Sequence, residues 1–420
     1  MRQTKWLGID AVLMLILGAG SVVSVTDALG SLLVLLAGCY LLLDVVSRRG
    51  NPGISNRTLY RVKLTIVILA TSVAVVLPAI SMIILRQSTS PEKYIQDGAL
   101  QTELSIEYLL QGKNPYAEDY RGTPLAAWTW DTAAEGTTEN PALDHNAYLP
   151  FTFVFSIPFY ALLKNSVGWY DQRLVYLPLF FCTFVPLARH AVQQERKLGL
   201  LTLFGLNLFM APYTAWGGND GLVLFWLVTS TYLLLENRTT LSALSLGLAC
   251  ASKQTAWLFV PFFLTYVWVK APPTKKLGAI RETYLLLMVP VLLILPFLLW
   301  NPSAFLDDTF FYMSGGAASS YPIRGVGIGS LMLALGIISD RTAYFPFAVL
   351  QVASCLPLLI FLLRRQTSLD DVRQCWLGFG LLLLTFSFFS RFFNATLLGV
   401  VVASLGIGLL AEDYGGSTPT

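Results

Sequence analysis

The chain is 420 residues long, 55% hydrophobic and 13% charged, with a mean hydropathy of +0.61. A soluble protein of this length cannot carry so much apolar surface, so the sequence reads as a polytopic membrane protein. The net charge of +3 and the absence of a long Lys/Arg block exclude a nucleic-acid-binding protein.

The N-terminus, MRQTKWLGIDAVLML, begins basic and turns apolar as a signal peptide does. No small-residue cleavage site follows and many more apolar runs come after it, so it reads as a retained helix. Charge-poor runs at 7–25, 30–43 and 64–85 predict the first three spans, and Arg48, Arg49, Arg57, Arg61 and Lys63 fill the gap between the second and third. The positive-inside rule makes that gap cytoplasmic and sends the third span outward, delivering the stretch from Tyr94 and a loop reaching about Tyr148 to the extracytoplasmic face. Within it Leu100, Leu104, Tyr108 and Leu110 form an apolar stripe while Asp97, Glu103 and Glu107 lie elsewhere, which predicts an amphipathic helix on a membrane surface. Asp97 either looks into a cavity between helices or caps that helix.

The apolar run 148–163 is short and holds Pro150 and Pro158. Treating it as interfacial or re-entrant keeps Arg189, His190, Arg196 and Lys197 cytoplasmic, and treating Val326–Ile338 the same way keeps Arg364, Arg365 and Arg373 inside. Further spans are predicted near 174–188, 198–215, 219–235, 240–252, 255–269, 282–300, 343–363, 374–389 and 393–410. The expectation is an all-α bundle of about twelve transmembrane helices with both ends cytoplasmic. Residues 1–61 would be an N-terminal transmembrane hairpin, 62–410 the core including the outer loop 86–147, and 411–420 a cytoplasmic tail. Runs 240–252 and 255–269 are short for a bilayer and meet at Lys253-Gln254. A lysine there is costly unless the junction lines a wet cavity or the side chain snorkels to the surface. Cys39, Cys182, Cys250, Cys355 and Cys375 have no paired spacing and read as small core residues. No repeat of 20 to 50 residues is visible.

The acids on the predicted outer side are Asp97, Glu103, Glu107, Glu118, Asp119, Asp131, Asp144, Asp220, Asp307 and Asp308, most of them read as solvated loop charges. Location singles out Asp97, then Asp220 at the tight turn Gly217-Gly218-Asn219, and the cations Lys253, Arg324 and Arg391. Carboxylates facing cations at a membrane-surface cavity suit a substrate with a phosphate and a nucleophilic hydroxyl. No HExxH, GxSxG, Walker loop or Cys/His cluster occurs, which excludes metalloprotease, serine hydrolase and ATPase readings. His145 is either a second acid/base or a bystander. Short paired helices also occur in secondary transporters and lipid-sugar flippases, a competing class, although the long outer loop favours an enzyme. A structural subunit without activity is a third reading.

Several pieces resemble one family. The loop from Tyr94 with Asp97-Gly98 and Gln111-Gly112-Lys113-Asn114-Pro115-Tyr116, then Asn146-Ala147-Tyr148-Leu149-Pro150, Gly217-Gly218-Asn219-Asp220, the run Gly247 to Gln254, and Arg391-Phe392-Phe393-Asn394 resemble, in order, segments of the integral-membrane C-type (GT-C) glycosyltransferases, nearest their bacterial mannosyltransferase-like branch. The usual doubled proline after the Tyr is Leu149-Pro150 here. The resemblance implies a hexosyltransferase of the cell membrane and cell envelope, with its active site on the extracytoplasmic face. Its donor would be a polyprenyl-phosphate sugar such as mannose, and its acceptor a lipid or glycan hydroxyl. The family's acidic loop residue falls on Asp97, the expected general base, and its second acidic position on Asp220. Lys253, Arg324 and Arg391 are expected at the phosphate, with Gln254, Asn394 and His145 in the substrate-binding set. Tyr116, Tyr148 and Trp128 either stack on sugars or belong to the bilayer belt. Single displacement would invert the anomeric centre. Phosphate is a good leaving group, so a separate general acid is not required; the resemblance implies no required cofactor, and a divalent metal is optional.

Overall fold

The computed structural model describes residues 7–49, 55–130, 139–369 and 371–412. Asp131, most of the tail and the first six residues lie outside this set. The chain is an all-α polytopic membrane protein. Its first half runs through helices α1 (Ile9–Gly20), α2 (Asp27–Arg48), α3 (Asn56–Thr71), α4 (Leu77–Ser88), α5 (Asp97–Leu110), α6 (Phe151–Val154), α7 (Ile157–Val167), α8 (Arg173–Cys182), α9 (Phe184–Ala188) and α10 (Gln194–Gly205). The second half holds α11 (Ala211–Trp216), α12 (Asp220–Leu235), α13 (Thr239–Ser252), α14 (Val260–Lys270), α15 (Lys276–Arg281), α16 (Leu285–Trp300), α17 (Pro302–Leu306), α18 (Tyr312–Ser314), α19 (Ile328–Ala334), α20 (Phe347–Leu369), α21 (Val372–Phe388) and α22 (Ala395–Leu410). Two short strands, β1 (Arg324–Gly325) and β2 (Phe392–Phe393), pair in parallel.

Among the described residues four helical runs are long and apolar enough to cross a membrane: Asp27–Arg48, Asn56–Ser88, Pro273–Trp300 and Phe347–Leu369. Their outward faces are apolar, with Leu287, Leu292 and Leu299 on α16 and Val349, Val352 and Phe361 on α20 all exposed. In water such faces would be an aggregation liability; against lipid tails they are the expected surface. The run Asn56–Ser88 is continuous because a π turn at Ser72–Val76 joins α3 to α4 just before Pro78. Proline there removes one ladder donor and crowds the preceding turn, and widening the helix by one residue absorbs both. Helix α19 has seven residues, a rise of about 10 Å, too little to cross a bilayer.

The main core packs side chains of α1, α2, α3, α10, α12, α13, α14, α21 and α22, including Tyr40, Phe204, Phe262 and Trp376. Ion pairs fasten the N-terminal helices to it. Lys63 of α3 bonds Asp10 of α1 (2.8 Å) and Asp44 of α2 (2.6 Å), Tyr40 donates to Asp10 (2.6 Å), and Arg48 joins Asp44 to Glu195 of α10. The sequence reading placed Lys63 in the basic gap between the second and third spans; it lies within α3, enclosed between two carboxylates. The cysteine reading also needs correction, because Cys39 and Cys182 lie on the outside of the bundle while Cys250 and Cys375 are buried; none is in a disulfide.

Helix α5 departs further from expectation. Every residue from Gly98 to Ile106 is buried, so it is an embedded element and not an amphipathic helix resting on a surface. Two features hold it. Ile95, Ala99, Leu100 and Leu104 pack under the following loop against Tyr120, Leu125 and Leu143. On another face Glu103 is clamped by Arg86 at the end of α4, through bonds of 2.9 and 2.7 Å, and accepts from the backbone N–H of Gln172 (2.7 Å). Arg86 also binds Asp171 (2.8 Å), which pairs with Arg173 (2.8 Å). Four buried charges thus cancel, which is the condition for keeping charges out of water.

Candidate functional site

Two helices begin with an aspartate, α5 at Asp97 and α12 at Asp220, and their N-termini converge. The backbone N–H of Gln96 donates to the carbonyl of Trp216 at the end of α11 (2.9 Å), which fixes the start of α5 on the turn leading into α12. That turn needs Gly217: its φ is +112°, and a Cβ there would stand 2.9 Å from Ala99 of α5. Each aspartate therefore sits at the positive end of its own helix, and the two helix starts lie against one another.

Asp97 is half-buried. Its Oδ1 accepts from Gly98 N–H (2.8 Å) and Gln96 Nε2 (2.8 Å), while Oδ2 has a long contact with Asn140 Nδ2 (3.4 Å). One oxygen is thus held and the other is under-used. Burial raises the carboxyl above its ordinary range, against the pull of the Gly98 N–H, the Asn140 amide and the charge of Arg324. Tyr148 lies directly over this helix start. A Cβ added to Gly98 would fall 1.9 Å from the Tyr148 hydroxyl. Burial raises the Tyr148 phenol well above its usual value, as do the charges of Asp97 and Asp220.

Lys253 caps α13 in extended conformation, after which a 3₁₀ turn, Gln254–Phe259, leads into α14. The break frees its ammonium to bond Asp220 (2.6 Å) and Asn219 (3.2 Å). Gln254 instead ties backbone, donating to the carbonyls of Ala147 and Thr309 (3.1 Å each), so it positions the Tyr148 loop. Arg324 of β1 places its guanidinium 4.7 Å from the Trp130 ring centre. An aromatic arc runs from Trp216 through Trp128 (5.9 Å), Trp130 (6.4 Å), Tyr321 (6.1 Å) and Tyr312 (5.7 Å) to His145 (4.4 Å).

Three expected contacts stand elsewhere. Arg391 is buried and donates to the carbonyls of Tyr321, Ala343 (2.9 Å) and Arg341 (3.0 Å), so it braces three chain segments instead of presenting a fork to a phosphate. Asn394 caps α22 through Leu397 N–H (3.1 Å) and accepts from Thr396. Tyr116 is enclosed by Phe153, Phe297 and Phe305 and donates to the Tyr148 carbonyl (2.7 Å), which leaves no ring face for a sugar. His145 is no loop bystander. Its Nδ1 lies 2.9 Å from Asp308 Oδ1, and Asp308 Oδ2 accepts from Asn146 N–H (2.8 Å). Burial raises Asp308 to about 6; for His145 burial pulls downward but the Asp308 hydrogen bond and the charges of Asp308, Asp307 and Asp144 outweigh it.

Sequence reasoning missed Asn140, Tyr312, Trp216 and the Arg86 cluster. A cation one residue past the apolar run ending at Leu85 was the available signal for that cluster. A separate surface cavity of about 440 Å³, lined by Glu107, Tyr108, Lys113, Glu118 and Asp119, opens against α5 without including Asp97.

A family model described as "ALG3 protein" matches residues 212–313, the stretch that carries Asp220, Lys253 and Asp308. The chain is also similar to GPI mannosyltransferase 1 of Aspergillus fumigatus, 25% identical over 178 residues, 41% of this chain and 36% of that one. GPI mannosyltransferase 1 of Emericella nidulans is 26% identical over 170 residues, 40% of this chain and 33% of the relative. The matched part spans about a third of these curated relatives. They are fungal, whereas the sequence resemblance was to a bacterial branch. No solved structure matches the chain.

Proposed function

We propose that this protein is an integral-membrane mannosyltransferase that moves a hexose from a polyprenyl-phosphate donor to a lipid or glycan hydroxyl at the extracytoplasmic face. The observation that carries the reading is the convergence of the Asp97 and Asp220 helix starts beneath Tyr148, with Lys253 bonded to Asp220. The likeness to GPI mannosyltransferases supports the reaction class, and the basic gap after α2 supports the outward orientation.

In this reading the acceptor oxygen attacks the anomeric carbon, its proton passes to Asp97 Oδ2, and the bond to phosphate breaks with the electron pair leaving on polyprenyl phosphate. The configuration inverts. Because Oδ1 is already engaged by Gly98 and Gln96, Oδ2 is the oxygen available to the substrate. A carboxyl raised by burial is a stronger base than a solvated one, as the role requires. Lys253 and Arg324 meet the phosphate charge, while the half-buried rings of Trp216, Trp128 and Tyr321 offer flat apolar faces to pyranose rings.

The test is transfer from polyprenyl-phosphate mannose by purified protein. Asp97→Asn should reduce turnover by about 10²- to 10⁴-fold with the thermal midpoint retained. Turnover within a few-fold of the parent chain would remove Asp97 from the role.

A further inference from the structure

Seven carboxylates are enclosed in the described structure: Asp10, Asp44, Glu103, Asp171, Asp220, Asp308 and Asp371. Six have a Lys or Arg within ion-pair distance: Lys63 serves Asp10 and Asp44, Arg86 serves Glu103 and Asp171, Lys253 serves Asp220 and Arg373 serves Asp371. Asp308 is the exception. Among the described residues its only basic neighbour at that distance is His145, which is shared with a second carboxylate, Asp307. Buried negative charge needs compensation, and here two acids converge on one imidazole nitrogen with no Lys or Arg beside them.

We infer that His145, Asp307 and Asp308 form a binding site for one divalent transition cation, Mn²⁺ or Zn²⁺. His145 Nδ1 is 2.9 Å from Asp308 Oδ1 and 3.6 Å from Asp307 Oδ2, and the three ligand atoms all lie within 4.8 Å of one another. Atoms sharing one coordination sphere with bonds of about 2.1 Å stand about 3 to 4 Å apart, so small side-chain adjustments suffice. Consecutive residues of an α-helix point in different directions. Asp307 and Asp308 open a π turn, Asp307–Phe311, and reach the same nitrogen from it.

The surroundings complete the site. Asn146 N–H holds the far oxygen of Asp308, the kind of outer contact that aims a ligand. The His145 ring is stacked on Tyr312 at 4.4 Å, which fixes its plane and keeps Nδ1 directed at the two carboxylates. The side chains of His145 and Asp308 are 6% and 4% exposed, whereas that of Asp307 is 45% exposed and gives an ion its access from solvent. One imidazole with two carboxylates suits Mn²⁺ or Zn²⁺, while Mg²⁺ and Ca²⁺ favour all-oxygen sets. The ion pins the loop before Tyr148 to the segment after α17, next to Tyr312, which feels the charges of both Asp308 and Asp97.

The test uses the full chain, free of any histidine tag, purified in detergent and stripped with a chelator. Mn²⁺ alone is titrated in, and its free signal is followed by electron paramagnetic resonance. One equivalent should be bound per chain and displaced by Zn²⁺. Asp307→Asn, at a half-exposed side chain whose replacement leaves folding intact, should weaken binding by about tenfold or more, with His145→Ala acting in the same direction. Glu118→Gln, in the acidic groove beside α5, should leave binding unchanged. No depletion of free Mn²⁺ by the parent chain, equal binding by Asp307→Asn, or loss of binding in Glu118→Gln would each overturn the assignment. No sugar donor is present, so failure here is distinguishable from failure of the transferase reading.

Discussion

The hydroxyl of Tyr148 occupies the space that a side chain at position 98 would need, since a Cβ on Gly98 would lie 1.9 Å from it. A glycine at the second residue of α5 is therefore a packing requirement of the loop above it. Gly98→Ala should push Tyr148 aside without melting α5, because alanine is a better helix former. Displacing a positioned group by about 1 Å can cost about 10²-fold in rate, so kcat/KM should fall on that scale while the thermal midpoint changes little. Unchanged kinetics would mean that Tyr148 does not position substrate.

Acid titration should expose Asp97. As pH falls through its raised folded-state value the base is protonated, so kcat/KM should decline on the acidic side at a pH above the ordinary carboxylate range of about 4. Stability runs the other way. A raised carboxyl favours the folded state when protonated and loses that contribution as pH rises, so Asp97→Asn should match or exceed the parent's thermal midpoint at pH 8. The gain should vanish at acidic pH, where the parent is protonated as well. Thermal scans across pH check the sign.

Lys253→Met should act on donor binding. Loss of a charge-assisted contact is worth about 1.5 to 3 kcal/mol, roughly ten- to a hundredfold in affinity. KM for the lipid-phosphate donor should rise accordingly and KM for the acceptor should not. Lys253→Arg should recover part of the loss, because it keeps the charge beside Asp220.

Glu103→Gln leaves Arg86 facing Asp171 alone and breaks a buried, charge-balanced cluster. The expected cost is about 3 to 5 kcal/mol, visible as a lowered midpoint in thermal or denaturant unfolding. A change below about 1 kcal/mol would mean that water reaches the cluster.

The helices were legible as apolar runs, and the interruption at Lys253 was legible because a lysine stood between two runs too short to cross a bilayer. Partnerships between distant residues were not. Arg86 and Asp171 are 85 positions apart and His145 and Asp308 are 163 apart, and nothing local marks either pair. Polar residues between apolar runs look alike in sequence whether they face substrate or the chain itself. Asn394 turned out to cap a helix and Arg391 to bind carbonyls for this reason. The embedding of α5 was hidden likewise, because its acidic residues suggested water when one of them had a buried guanidinium waiting.

Arg391 meets only carbonyl oxygens, and among the described residues no carboxylate stands within ion-pair distance of it. Carbonyl dipoles solvate a guanidinium but cannot cancel it. The charge of Asp340 acts on it only from beyond ion-pair distance, so much of a positive charge remains inside the protein near Arg324, whose backbone N–H donates to the Arg391 carbonyl. Enclosed in low-dielectric surroundings, that charge is screened far less than one on the surface, and its potential extends beyond its own contacts. An anion approaching Arg324 is drawn by two cations, one of which it never touches.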